Sequence, residues 1–204
     1  MSQKTTGVYK ILSLFFFYRF IQKIMSGVSF REKFVKKIIK NKNNYILDIG
    51  CGTADILVSI PDNYYYGFDI SKNYINYAKN KFLSDKYQFF NEEFNHHTMQ
   101  KLPKFDFVIL FGILHHLSND QIENIFLNIK KILKKNSKVL IVDPVLIKNQ
   151  NFISRILIKL DRGKNIKNLR EYNEILKKNF KKVSYKVKNQ KFIPYTWYTA
   201  LCSQ

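Results

Sequence analysis

Asp48, Gly50 and Gly52 stand together in Ile46-Leu47-Asp48-Ile49-Gly50-Cys51-Gly52-Thr53-Ala54-Asp55, and Asp69 ends a second apolar run, Gly67-Phe68-Asp69-Ile70. Two acids around a Gly-x-Gly turn can bind a nucleoside. The glycines let the backbone approach the ligand, and an acid after the next strand accepts hydrogen bonds from ribose hydroxyls. Cys51 lies inside the turn. Leu114-His115-His116-Leu117 offers a second chemistry, because imidazole titrates near neutral pH and can take a proton from an attacking hydroxyl. His96-His97 is a weaker pair of the same kind.

Three ligands compete for such a turn. A triphosphate loop needs Gly-x-x-x-x-Gly-Lys-Ser/Thr, which does not occur here. A dinucleotide fingerprint needs a third glycine where Asp55 stands, and an acid there would face a pyrophosphate of like charge. S-adenosylmethionine (SAM) carries no phosphate but has a sulfonium, an α-amine and a carboxylate. Asp48, just before the turn, then serves as partner of the amine, and Asp55 does no harm. SAM is the ligand expected.

Strands and helices must place these groups. Residues 45–49, 64–69, 87–90, 105–111 and 138–142 read as strands, the last ending at Asp143-Pro144. Residues 30–40 read as a helix, the glycine turn opens a short helix ending near Pro61, and helices follow over 71–82 (capped by Ser71) and 119–133. Such alternation implies a parallel sheet with helices on both faces. The loop after the third strand carries His96-His97. The tail reads as helices over 152–160 and 169–178, then strands over 181–188 and 191–202.

With 204 residues and 46% apolar content, the chain suits one well-buried domain with additions. The expected division is 1–43 as N-terminal helices, 44–143 as the cofactor core, and 144–204 as a substrate cap with the final strands. Cys51 and Cys202 support no disulfide framework and show no zinc-type spacing, so no metal site is expected and a reducing cytoplasm is the natural setting. The formal charge of +20 suits an anionic partner, yet Lys, Asn, Ile, Tyr and Phe are raised together and the lysines are scattered. Compositional bias is therefore preferred. Residues 8–25 read as an apolar, aromatic helix interrupted by Arg19 and Lys23, short of the roughly 20 residues that cross a bilayer. A lid over the pocket is preferred to an interfacial membrane helix.

The 46–55 turn and the acid at Asp69 resemble motif I and the following acidic position of class I SAM-dependent methyltransferases. The resemblance implies a Rossmann-like α/β fold, with a doubly wound, seven-stranded, mostly parallel sheet. It places Asp48, Gly50, Cys51 and Gly52 at the methionine end of the cofactor, Asp69 on the ribose and Ile70 against the adenine. Asn91, Glu92 or Glu93 falls at the adenine edge, and Phe111 with Gly112 presents backbone to the amino group. The Leu-His-His segment is similar to one in small-molecule methyltransferases, which makes His115 or His116 the candidate base. Base-methylating relatives carry Asn/Asp-Pro-Pro-Tyr/Phe where this chain has Phe111-Gly112-Ile113-Leu114, and no cysteine nucleophile lies near that loop.

From Asp143-Pro144-Val145 through Gln150–Arg155, Leu160-Asp161-Arg162-Gly163 and Ile193-Pro194-Tyr195-Thr196, the tail looks like that of a bacterial methyltransferase subgroup associated with surface-polysaccharide genes. Arg162 and Tyr195 are the expected substrate contacts, an Asp161–Arg162 ion pair being the structural alternative. The function expected is methyl transfer to a small molecule, a hydroxyl of a sugar, glycan or lipid-linked precursor, in the cytoplasm or at the inner membrane face. An RNA methyltransferase using the basic surface and a non-catalytic scaffold of the same fold are the alternatives; no RNA-binding appendage is evident.

Overall fold

Short apolar runs bounded by turns form parallel strands buried on both faces, and the amphipathic stretches between them lie over the sheet as helices. The computed structural model describes residues 28–161, 163–190 and 194–204. The helix expected over 8–25 and the substrate contact expected at Arg162 lie outside these residues.

The order is α1 (Val28–Ile38), β1 (Tyr45–Ile49), a 3-10 turn (Asp55–Ser59), β2 (Tyr64–Phe68), α2 (Lys72–Lys81), β3 (Tyr87–Phe90), α3 (His96–Met99) and β4 (Phe105–Phe111). A second 3-10 turn (Leu114–His116) leads to α4 (Asn119–Ile132), β5 (Leu133–Pro144), α5 (Phe152–Lys159), α6 (Leu169–Asn179), β6 (Lys182–Gln190) and β7 (Tyr195–Ser203). The strands make one seven-stranded sheet in the order β3-β2-β1-β4-β5-β7-β6. The first five are parallel, and β7 runs antiparallel between β5 and β6. The chain winds outward one way from β1 to β3 and the other way from β4 to β5. The carboxyl ends of β1 and β4 therefore frame the crevice at which this architecture binds ligands.

One core cluster gathers Leu47, Val108, Leu110, Phe126, Tyr172 and Tyr198, and another gathers Val35, Ile46, Ile75, Ile109 and Leu140. Because β1 and β4 contribute alternate residues to both, the strand ends at the crevice are fixed from two sides. Helix starts are capped as their sequences dictate: Ser71 accepts from the Tyr74 amide, and Ser118 with Gln121 and Asn168 with Glu171 form capping boxes.

Three local expectations are corrected. The helix after the glycine turn is a single 3-10 stretch, entered through Ala54 in the left-handed region at φ 54°. β5 begins at Leu133, earlier than residue 138, because Leu133 pairs with Phe105 across a register shift and Asn136 turns at φ 66°. The loop after β3 contains the one-turn helix α3, closed by an Asn95–Thr98 capping box. Among the described residues, no helix is long and apolar enough to cross a membrane.

Candidate functional site

The glycine bend hangs from β2. The Gly50 and Cys51 amides both donate to the Phe68 carbonyl, at 2.8 and 3.0 Å. Gly50 sits at φ 75°, and a Cβ there would lie 2.8 Å from Ile113 Cδ1, so only glycine fits between the bend and the loop after β4. Gly52, at φ 56°, faces open space and donates its amide to Asp69 Oδ2 at 2.9 Å, while Ser71 N–H donates to Oδ1 at 2.8 Å. One carboxylate thus pins the bend against the strand beside it. A carboxylate accepts up to about four hydrogen bonds, so the same group suits ribose hydroxyls. Cys51 turns its side chain toward Gly67, where an added Cβ would meet Sγ at 2.9 Å. Burial, then the charges of Asp48 and Asp69, push its thiol well up, so Cys51 acts as packing rather than as a nucleophile.

Asp48 is buried at the end of β1 and accepts a 2.5 Å hydrogen bond from the Tyr65 hydroxyl. Burial raises its pKa to about 7 in spite of that bond and of Arg31, which lowers it. A carboxylate held this way gains from an arriving cation. Arg31, on α1, reaches over the end of β4: its guanidinium carbon lies 6.0 Å from the Phe111 ring centre and 5.2 Å from that of Trp197. A Cβ on Gly112 would lie 3.3 Å from its terminal nitrogen. One carboxylate and one guanidinium beside one bend match the two charges of an amino acid.

On the nucleoside side, Ile70 stands 50% exposed just past β2, an apolar surface offered to solvent where a flat ring would cover it. Asn91 donates its amide to the Asp69 carbonyl at 3.2 Å, and Glu92 and Glu93 are exposed beyond it. Phe111 is half-buried and packs at 6.3 Å from Phe34 of α1.

The two histidines after β4 occupy a different environment from that expected of a free base. His115 is buried, with Nδ1 at 2.5 Å from Asp143 Oδ1 and Nε2 at 3.2 Å from Asp161 Oδ1. Burial alone would lower its pKa, but Asp143 and then Asp161 outweigh it and raise the value to about 9. His115 is an imidazolium with both nitrogens engaged. Asp143 also accepts the backbone amides of Leu114 and His115, and Asp161 also accepts from the Gly163 amide and the Tyr195 hydroxyl. The Asp161 pKa is lowered in spite of burial, by His115 first and Tyr195 second. Lys167 closes the knot, donating to the Leu117 and Asn165 carbonyls at 3.3 and 3.1 Å. The post-β4 loop, β5 and the tail are thereby joined through one charged cluster.

Gly163 permits this approach. A Cβ there would overlap the His115 ring and come 2.7 Å from the His115 carbonyl oxygen. Gly163→Ala is accordingly expected to cost about 1–3 kcal/mol, read as a lowered melting temperature.

Tyr195, expected to face substrate, is 1% exposed, packs its ring 4.5 Å from that of Trp197 and spends its hydroxyl on Asp161. Its place is in the knot. His116 is buried against His115, ring centres 4.1 Å apart. The ligand-type atoms of His115, His116 and Asp161 lie within 4.8 Å of one another, a spacing open to a metal ion, although both His115 nitrogens are already engaged by carboxylates. His96 and His97 are exposed on α3.

Residues 40–199 match a family model described as methyltransferase domain. The chain belongs to that family. No curated protein matches it in sequence. Among solved structures, it is similar to a SAM-dependent methyltransferase from Archaeoglobus fulgidus at TM-score 0.72 and 15% identity, covering 92% of this chain and 100% of that one. It is similar to mitomycin 7-O-methyltransferase at TM-score 0.64 and 14% identity, covering 98% of this chain and 62% of the other. Human N-acetylserotonin methyltransferase, solved in complex with SAM, gives TM-score 0.57 at 17% identity, covering 79% of this chain and 47% of that one. The present chain thus spans roughly half to three-fifths of the latter two proteins.

The methyltransferase's residues fit SAM on their own geometry: a buried acid that a cation would relieve, a guanidinium beside it, an open bend and an exposed Ile70. Sequence reasoning missed Tyr65, Arg31, Asp143 and Asp161 as site members. Tyr65, two residues before Gly67, points to the same strand face as the bend. Arg31 is one of only five arginines and lies in the helix leading into β1. Asp143 and Asp161 were visible only as a strand end and as an ion-pair partner for Arg162.

Proposed function

We propose that this methyltransferase moves the methyl group of SAM to a hydroxyl of a small molecule, a sugar, glycan or lipid-linked precursor. The observation that carries the reading is the buried Asp48 beside the open glycine bend, with Arg31 on its other side. Bound SAM would supply a methyl group already activated on its sulfonium. Asp48 would receive its amine, Arg31 its carboxylate, Asp69 its ribose hydroxyls and Ile70 its adenine. Positioning then supplies most of the rate, since in-line transfer needs the acceptor aligned and water excluded.

The acceptor would enter over the post-β4 loop. His115 already carries its proton, so removal of the acceptor's proton falls to His116, with His115 as the residue that positions it. Residues 144–204 would supply a cap over this entrance together with the final strands of the sheet. The small-molecule oxygen acceptor in the name of mitomycin 7-O-methyltransferase supports this acceptor class, and the resemblance seen in the tail sequence alone is the reason for choosing a sugar within it. Incubation with methyl-labelled SAM and fractionated cell extract tests the proposal. Label in a sugar, glycan or lipid fraction supports it; label confined to RNA would overturn it.

A further inference from the structure

Helix α5 is built inside out for a surface helix. Toward the sheet it turns Ser154, whose hydroxyl lies 2.9 Å from that of Thr196 on β7, together with Ile158. Outward it turns Phe152, Ile153, Ile156 and Leu160, which are 75%, 55%, 41% and 50% exposed. Positions 152, 156 and 160 fall one above another on a helix, with 153 beside them, so these side chains form a single apolar stripe. A soluble surface helix has the opposite arrangement, and contiguous exposed apolar patches mark interaction sites.

What covers the stripe is indicated by charge. No acid occurs between residues 144 and 160, and Lys148, Arg155 and Lys159 do, with Lys164 following. Arg155 lies on the helix flank beside the stripe, placed to hold its stem on apolar surface and its charge at the edge. A second copy meeting this face across a two-fold axis would set the same cations against one another, without acids to answer them. An anionic bilayer answers both features, taking the apolar stripe into its acyl boundary and the cations among its phosphates.

We infer that α5 is the element by which this protein docks on an anionic membrane surface. The docking geometry sets the active crevice at the bilayer. α5 leads directly into Asp161, the partner of His115, and Leu157 and Ile158 pack in one cluster with Tyr195, Trp197 and Phe111 of the crevice wall. An acceptor carried on a lipid is thereby presented to the site; only this last step rests on the methyl-transfer reading, and the docking itself does not.

Co-sedimentation of the full chain with phosphatidylglycerol and phosphatidylcholine vesicles tests the inference. Binding is expected to the first and not the second, and to weaken as salt rises. Phe152→Ser combined with Ile156→Ser should lower binding to the anionic vesicles at least about tenfold, and Arg155→Glu roughly tenfold. Both variants should keep the melting-temperature rise given by S-adenosylhomocysteine, which shows that they fold. Unchanged vesicle binding by the folded double variant would overturn the inference. So would a fall in its melting temperature without a change in vesicle binding, which would mean that another part of the chain covers the stripe. A change in its sedimentation mass alone would assign the stripe to self-association and also overturn it. Absence of methyl transfer by the native protein, with its vesicle binding intact, would count against the proposed reaction and leave the docking standing.

Discussion

Asp48→Asn should weaken binding of S-adenosylhomocysteine about 100-fold, equal to about 2.7 kcal/mol, the upper range for a charge-assisted contact. The neutral amide keeps the shape of the carboxylate and can still accept from Tyr65, so the loss isolates the charge. The unliganded protein should respond in the opposite sense. Asp48 titrates at about 7 when folded against an ordinary 3.8, so the folded state holds the proton more tightly and loses stability as pH rises through that interval. Asn removes this loss, and the ligand-free variant should melt no earlier than the native protein above neutral pH. Affinity in the native protein should fall about tenfold per pH unit below the Asp48 value, where the ligand amine is charged but its partner is not. Calorimetric titrations across pH, with thermal melts of the same samples, check all three statements.

His115→Leu should cost about 3–5 kcal/mol, because it strands two carboxylates in a buried setting instead of removing a whole ion pair. For a chain of this length that is a fall of roughly 10 °C in melting temperature. The pH dependence identifies the cause. His115 has a folded value of about 9 against an ordinary 6.5, so its stabilisation is complete below 6.5 and is lost as pH rises through 9. Asp161, whose value is depressed from 3.8, contributes above that pH and ceases to as acid protonates it. The native protein should therefore lose stability between these two histidine values, and His115→Leu should not. A variant with native stability and abolished turnover would make His115 the base after all.

The cofactor half of the site was legible because its parts are local. Asp48, Gly50, Gly52 and Asp69 meet across two adjacent parallel strands, with Gly52 only 17 positions before the carboxylate that holds it. Spacing alone carries such a contact. The alternation of apolar runs with amphipathic stretches likewise carries the parallel sheet and the two final strands, whereas the antiparallel run of β7 between β5 and β6 is set by the fold. Tyr65 was hidden because its role depends on register: Asp48 pairs with Gly67, which brings the Tyr65 hydroxyl up beneath the carboxylate.

The histidines were legible as residues and not as chemistry. Their type and place argued for a base, but the charge on His115 is set by Asp143 and Asp161, which lie 28 and 46 residues away and meet it only through the strand order. The same distance hid the commitment of Tyr195 to Asp161. Arg31 is not legible as a site residue, because nothing in a helix preceding the first strand says that its side chain reaches the end of β4.

A crystal structure of the complex with S-adenosylhomocysteine is the most direct measurement. The ligand's amine is expected at Asp48, its carboxylate toward Arg31, its ribose hydroxyls on Asp69 and its adenine over Ile70. A ligand absent from the bend, or one seated there with its ribose and amine exchanged, would contradict that placement.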